Sequence, residues 1–382
     1  MNIVIAIDSF KGSLSSVEAG NITASAVRAL WGEGVSARVF PLADGGEGTV
    51  DALTAGLGGE IIRTEVTGPL GNKIPSRYGI IGSAGLAVIE MADAAGITLV
   101  KPEQRNPLHT TTYGLGELIL RAASSGCREF IVGIGGSATN DCGIGMLTAL
   151  GAKFLRPDGT PASVTGAGLA EIASMDLSGL HPVLKECRFR IACDVTNPLW
   201  GPNGCSRIYG PQKGATPEIV QSMDEAIRAF SEKAREQLGI TGADVPGAGA
   251  AGGLGYAFHG FLHGTLEPGI SLILDAIHIK DALPSADIVI TGEGCLDEQT
   301  AMGKAPVGVA RLAKACRPEA KVIALCGCAK PGAAAVNEQG VDAYFPILHM
   351  PMQVEEAMRP EIAAANLSQT VTQIFRLMSP EK

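Results

Sequence analysis

The chain has 382 residues, a formal net charge of −9 and a hydrophobic share of 46 %. That length supports two domains with proper cores. The acidic balance excludes a general nucleic-acid binder, so positive charge for an anionic ligand must be local. Glycine contributes 50 residues, well above ordinary usage. No Gly-X-Y period appears and the glycines gather in loops, which excludes a collagen-like chain. The nine cysteines are scattered, mostly in apolar runs, and read as reduced thiols of a cytoplasmic protein. The first residues enter a strand with no basic stretch ahead of an apolar core, which argues against a secretory signal. No apolar run approaches the ~20 residues of a membrane span.

Residues 3–7 form an apolar strand that runs into Asp8-Ser9-Phe10-Lys11-Gly12-Ser13. Ser15 and Glu18 fit a capping box, which starts a helix by satisfying its free N–H groups. Val27, Leu30 and Trp31 then share one helical face. A strand over 35–42 runs into Ala43-Asp44-Gly45-Gly46-Glu47-Gly48-Thr49, and a helix carrying Val50, Leu53 and Leu57 follows. This βαβ rhythm predicts a parallel sheet covered by helices. Closely spaced strands over 61–67, 74–81 and 86–91 predict antiparallel pairing, in a second domain or as an extension of the first sheet. A helix over 113–123 precedes an apolar strand that enters the glycine-rich stretch 133–143. Another strand, 188–193, ends in Asp194-Val195-Thr196-Asn197-Pro198. The helix over 218–238 carries an apolar stripe of Val220, Met223, Ile227 and Phe230, and residues 247–255 are nearly all small. From 287 onward, strands over 287–291, 321–325 and 342–347 alternate with helices. The order predicts an α/β protein of two domains. A doubly wound Rossmann-like domain is formed from both chain ends (1–68 and 285–382), and a mixed α/β domain (69–284) is inserted into it.

Four apolar strands run into polar, glycine-rich loops, and in open α/β sheets ligands bind at the carboxyl ends of strands. Glycines let the backbone turn tightly and approach a ligand. The loop Gly135-Gly136-Ser137-Ala138-Thr139-Asn140-Asp141 suits an anion, yet Asp141 needs a cation or a substrate hydroxyl alongside it. Phosphate with Mg²⁺ satisfies both. Lys11 and Lys213 are placed to meet phosphate, and Lys304 could meet the same anion. Asp44, Glu47, Asp141, Asp194, Glu293 and Asp297 are candidate bases or metal ligands. Mg²⁺ takes only one or two carboxylates besides phosphate and water, so most of the six have other work. Each of these carboxylates, and Asp8 with them, could equally form a turn. There is no G-x-x-x-x-G-K-[ST], and the protein-kinase loop set is absent. A dinucleotide fingerprint at Gly133-Ile134-Gly135-Gly136-Ser137-Ala138 requires alanine for its last glycine, which is weak evidence.

Seven stretches in this order resemble the type I glycerate kinases, the bacterial glycerate 2-kinase family. They are Asp8 to Leu14, Ala43 to Thr49, Gly133 to Gly143, Ala192 to Pro198, Tyr209-Gly210-Pro211-Gln212-Lys213-Gly214-Ala215, Gly247 to Gly255 and Thr291 to Thr300. The resemblance implies ATP-dependent phosphorylation of D-glycerate with Mg²⁺, usually to 2-phosphoglycerate, in the breakdown of glyoxylate or sugar acids. It also implies two α/β domains with the active site in the cleft between them. Asp297, in the most polar of the strand-end loops, is the expected general base or hydroxyl orienter, Lys11 the expected stabiliser of transferred phosphate and Asp194 the expected Mg²⁺ ligand. Asp8, Ser9, Asp44, Gly45, Gly46, Glu47, Gly135, Gly136, Ser137, Thr139, Asn140, Asp141, Lys213, Gly252, Gly253, Glu293, Gln299 and Thr300 are expected to bind substrate or phosphate. Two positions depart from the family pattern: Cys295 stands where arginine is usual, and Cys142 where glycine is. The partners expected are D-glycerate and ATP, with no nucleic acid and no membrane, and homo-oligomer formation is left open. The competing readings are a kinase making 3-phosphoglycerate, a Rossmann-type hydroxy-acid oxidoreductase, and a non-catalytic glycerate or nucleotide sensor.

Overall fold

Ile3, Val4, Ile5, Ala6 and Ile7 are all buried. Such a run without alternation suits a strand covered on both faces, as parallel strands are. The computed structural model, which describes residues 1–32 and 34–378, bears this out. Its strands are β1 (Asn2–Ile7), β2 (Ser36–Val39), β3 (Glu60–Thr67), β4 (Lys73–Ile81), β5 (Leu86–Glu90), β6 (Glu129–Gly133), β7 (Lys153–Leu155), β8 (Ser174–Asp176), β9 (Arg188–Ala192), β10 (Thr265–Glu267), β11 (Ile288–Leu296), β12 (Lys321–Ala329) and β13 (Ala343–Pro346). The chain divides into two compact units. One holds Met1–Asp44, Asp51–Leu57 and the chain from Ile270 onward; the other holds Gly45–Val50 and Gly58–Gly269.

The first unit carries a five-stranded sheet in the order β13-β12-β11-β1-β2, with every pairing parallel. The chain moves outward to β2 from β1 and outward in the other direction from β11, so the order reverses between β1 and β11. That is the crevice where ligands of doubly wound sheets bind. The helix Ser16–Trp31 begins with the expected capping box: Ser15 accepts from the Glu18 N–H, and Glu18 accepts from the Ser15 N–H. It packs against the helix Pro360–Leu377, with Trp31 edge-on to Phe375 at 4.8 Å. Residues 291–296 differ from expectation. They do not leave the sheet as a loop but continue β11 to Leu296, paired with β12 through Glu293↔Cys326 and Cys295↔Cys328. Gly292 makes this close pairing feasible, because a Cβ there would lie 2.2 Å from the Leu325 carbonyl oxygen.

The second unit holds a six-stranded sheet in the order β10-β9-β6-β5-β4-β3. β3–β4 and β4–β5 are antiparallel, and the remaining pairs are parallel. The closely spaced strands therefore form the antiparallel edge of this sheet. The unit's core includes two groups of buried rings in contact, Phe130, Phe189 and Phe258 in one and Phe230 and Tyr256 in the other. The division differs from boundaries at 68 and 284. β3 pairs along its whole length with β4 and belongs to the second unit, whereas Ile270 packs on Gly308 in the first. Among the described residues, no helix is long and apolar enough to cross a membrane.

Ser15 holds a free helix N–H, and its own N–H is held in return. Ser15→Ala is expected to cost about 1 kcal/mol of stability, read as a lower urea midpoint with an unchanged slope.

Candidate active site

The point where the first sheet reverses order sets the geometry of the first unit's site. β1 ends at Ile7, opposite Gly292, and the Asp8 N–H donates to the Gly292 carbonyl at 2.9 Å. The chain then opens into a cavity of about 480 Å³. Asp8, Ser9, Lys11, Asp44, Glu293, Asp297 and Lys304 all line it. Asp8 is 4 % exposed. Its carboxyl is pushed up to about 7, first by burial and then by the negative charge of Asp44, while the Ser9 N–H at 2.7 Å and Lys11 pull it back. Lys11 pairs with Asp44 at 3.7 Å. Burial also raises Glu293, against a hydrogen bond from the Thr300 hydroxyl.

Asp297 lies at this cavity but has a structural duty as well. It is the N-cap of the turn Glu298–Ala301, where its Oδ1 accepts from the Gln299 and Thr300 N–H groups. Gln299 is exposed and accepts from Lys304 at 3.2 Å. Thr300 is buried and joins the cap to Glu293, which makes it a support of the wall. Cys295 faces Cys328 on the neighbouring strand, and both line the cavity. The Cys295 thiol is pushed up to about 11 by burial and by Cys328.

In the second unit the glycine-rich loop after β6 splits into an exposed and a buried part. Gly135 and Gly136 are exposed; Ser137, Thr139, Asn140 and Asp141 are buried. Asp141 is a correction to the sequence reading. Its Oδ2 accepts from the Thr112 N–H and hydroxyl at 2.8 Å and from the Gly145 N–H at 3.4 Å, and its Oδ1 accepts from the Gly143 N–H at 3.1 Å. A fully enclosed carboxylate with four donors folds the loop rather than meeting a ligand. Asn140 is likewise turned inward, donating to Ser206 at 2.8 Å. Gly252 and Gly253 are packing glycines, since a Cβ at either would strike Thr139 O or Cys142 Sγ at 2.2 and 2.6 Å. Lys213 is buried and donates to Ser137 Oγ at 2.7 Å and Thr139 O at 2.6 Å. Burial lowers it to about 8.

Gly45 and Gly46 belong to the second unit. Gly45, at φ +87°, lies so near Ala192 that a Cβ would sit 2.4 Å from that residue's own. Glu47 is exposed. Asp194, the expected metal ligand, is exposed and accepts the Gly269 N–H at 2.8 Å through Oδ1. The sequence reading does not single out the cavity's apolar wall of Ile347, Leu348, Met352, Val354, Ala357 and Met358. Its sequence signal is a run of large apolar side chains around Met350-Pro351-Met352, followed by Val354, Ala357 and Met358 at helical spacing. Glu90 likewise carries no motif that would single it out. It is a buried carboxylate at the end of β5, and it accepts the Val50 N–H at 2.8 Å.

Lysines and carboxylates gathered at the sheet's reversal point describe a phosphotransferase of α/β fold. The glycerate kinase family model matches residues 3–379. A glycerate kinase of Haemophilus influenzae is 44 % identical over 99 % of both chains. A glycerate 2-kinase of Escherichia coli is 44 % identical over 94 % of this chain and 93 % of its own. The crystal structure of a candidate glycerate kinase 2 from Salmonella typhimurium LT2 superposes with a TM-score of 0.91 at 42 % identity, covering 99 % of this chain and 98 % of that one. The chain belongs to the glycerate kinase family, and it is a kinase. The hydroxy-acid oxidoreductase reading falls with this assignment.

The Lys213 value has a consequence for stability. Between about pH 8 and the ordinary 10.5 the unfolded chain holds a proton that the folded chain has released. Stability contributed at this site therefore rises with pH through that window, and the full cost of the buried cation is felt below it. Lys213→Met is expected to flatten that rise in urea unfolding measured from pH 7 to 10; an unchanged pH slope would contradict the assignment.

Proposed function

We propose that the protein transfers the γ-phosphoryl group of ATP to the C2 hydroxyl of D-glycerate, giving 2-phosphoglycerate. The carrying observation is the 44 % identity to the Escherichia coli protein named a glycerate 2-kinase, because that name specifies the hydroxyl. The cavity of the first unit supports the reaction class. Phosphoryl transfer depends on positioning and on charge stabilisation, and Lys11 and Lys304 supply cations beside carboxylates there. All nine cysteines are free thiols, which supports work in the cytoplasm.

Mg²⁺ fits this donor set. Among the described residues no cluster of three or more His, Cys, Asp or Glu side chains is arranged to hold a metal. Mg²⁺ needs only one or two carboxylates when phosphates and waters supply the rest. Asp8 and Asp44 are hard oxygen donors whose mutual repulsion a dication relieves. They replace Asp194 as the proposed ligands. When bound, Mg²⁺ neutralises charge on the phosphate oxygens. Lys11 holds the transferred group, and Asp297 orients the acceptor hydroxyl with the oxygen that the cap leaves over.

Purified protein with Mg-ATP is expected to release ADP with D-glycerate and not with L-glycerate, and phosphorus NMR should place the phosphate on C2. Phosphate on C3 would keep the kinase and change its product, and ligand binding without ADP release would point to a sensor. Lys11→Ala should lower kcat by about 10²-fold. Asp297→Asn keeps a side-chain oxygen for the cap and should still lower kcat by about 10²-fold; near-normal turnover would leave Asp297 with capping alone.

A further inference from the structure

The cavity at the reversal point has two chemically different ends. Asp8, Lys11 and Lys304 mark the polar end, while Leu348, Val354 and Met358 mark the apolar one. These three apolar residues are 37 %, 66 % and 39 % exposed, although the unit has a buried apolar core of its own. The two ends are joined physically. Met358 Cε stands so close to Gly12, at φ +76°, that a Cβ there would lie 2.7 Å from it. The apolar wall therefore rests on the same loop that carries Lys11.

A three-carbon acid is far too small and too polar for a cavity of about 480 Å³ with such a wall. A nucleotide has the matching division, with anionic phosphates at one end and a flat apolar ring at the other. We propose that this cavity is the nucleotide site, that the segment carrying Leu348, Val354 and Met358 seats the adenine base, and that Lys11 and Lys304 meet the phosphates. Thioether and branched side chains suit this task, because methionine adapts its shape to a ring face and its sulfur contacts aromatic rings favourably. The inference rests on the kinase reading for its choice of nucleotide, but it concerns where the base sits and not which acceptor is used.

The test is calorimetric binding of Mg-ADP and of Mg-pyrophosphate to the wild type and to a Val354→Asn/Met358→Gln variant. Both replaced side chains are partly exposed, and the thermal melt of the variant checks its fold. ADP affinity is expected to fall at least tenfold in the variant, pyrophosphate affinity to stay within twofold, and KM for D-glycerate to stay within twofold. The proposal is overturned by no ADP binding by the wild type, by ADP binding untouched by the substitutions, by an equal loss for pyrophosphate, or by a loss confined to glycerate. Sedimentation showing that the variant loses self-association while ADP binding is intact would also overturn it, and would assign the wall to a second copy. Failure of phosphoryl transfer to glycerate with base-dependent ADP binding preserved would count against the acceptor alone and support the nucleotide site.

Discussion

Much of the first unit depends on one parallel pairing between segments almost three hundred residues apart in sequence. β1 and β11 stay in register to Ile7↔Gly292, and the Asp8 N–H closes the ladder on the Gly292 carbonyl. Beyond that bond the chain of β1 turns away while β11 continues, and Asp8 and Glu293 are left at the same cavity. Their closeness is a product of register. A slip by one residue would turn the alternating side chains to the opposite faces and dissolve the acidic cluster. Gly292 permits the arrangement on its other side, where the Leu325 carbonyl leaves no space for a Cβ.

Two buried carboxylates show how surroundings divide similar residues into different kinds of work. Asp141 is wholly enclosed but receives four hydrogen bonds from its own loop and from Thr112. Asp8 receives the Ser9 N–H and faces other acids. The first is an internal brace, since removing it would orphan several buried donors. The second keeps capacity for a proton or a cation, and a carboxyl near 7 is one that a ligand's charge shifts readily. Lys213 lies between these cases: buried, tied at two points, and held low by the absence of water.

The fold class and the order of the elements were legible because they rest on patterns that the sequence displays. The unbroken apolar run of β1 and the Ser15/Glu18 box are local signals, and the structure carries both. The doubly wound sheet followed from the return of the βα rhythm after residue 287. What misled was residue type taken without surroundings. The Gly292-Glu293-Gly294 stretch looks like a loop, yet the opposing strand accepts it as sheet because glycine fits against its carbonyls. Asp141, Asn140 and Gly252 carry the chemistry of a ligand loop and are spent on folding it. The apolar wall was overlooked for the converse reason: methionine and leucine read as core until their exposure is known. Cys142 occupies a position where the resemblance leads one to expect glycine. It holds φ +48°, a conformation that glycine adopts freely and a side chain tolerates less well.

The way the first unit is assembled also orders the birth of the molecule. During synthesis, β1 emerges early and has β2 as its only sheet neighbour until residue 288 has been made. The second unit lies almost entirely in one continuous stretch, Gly58–Gly269, so its strands meet while the chain is still growing. At the ordinary pace of translation, about 5–20 residues per second, the apolar β1 waits roughly 15–60 s for its partner. A ribosome pausing within the second unit would lengthen that wait. The vulnerable species in the life of this protein is thus a half-made chain with one finished unit and a strand still open along one edge.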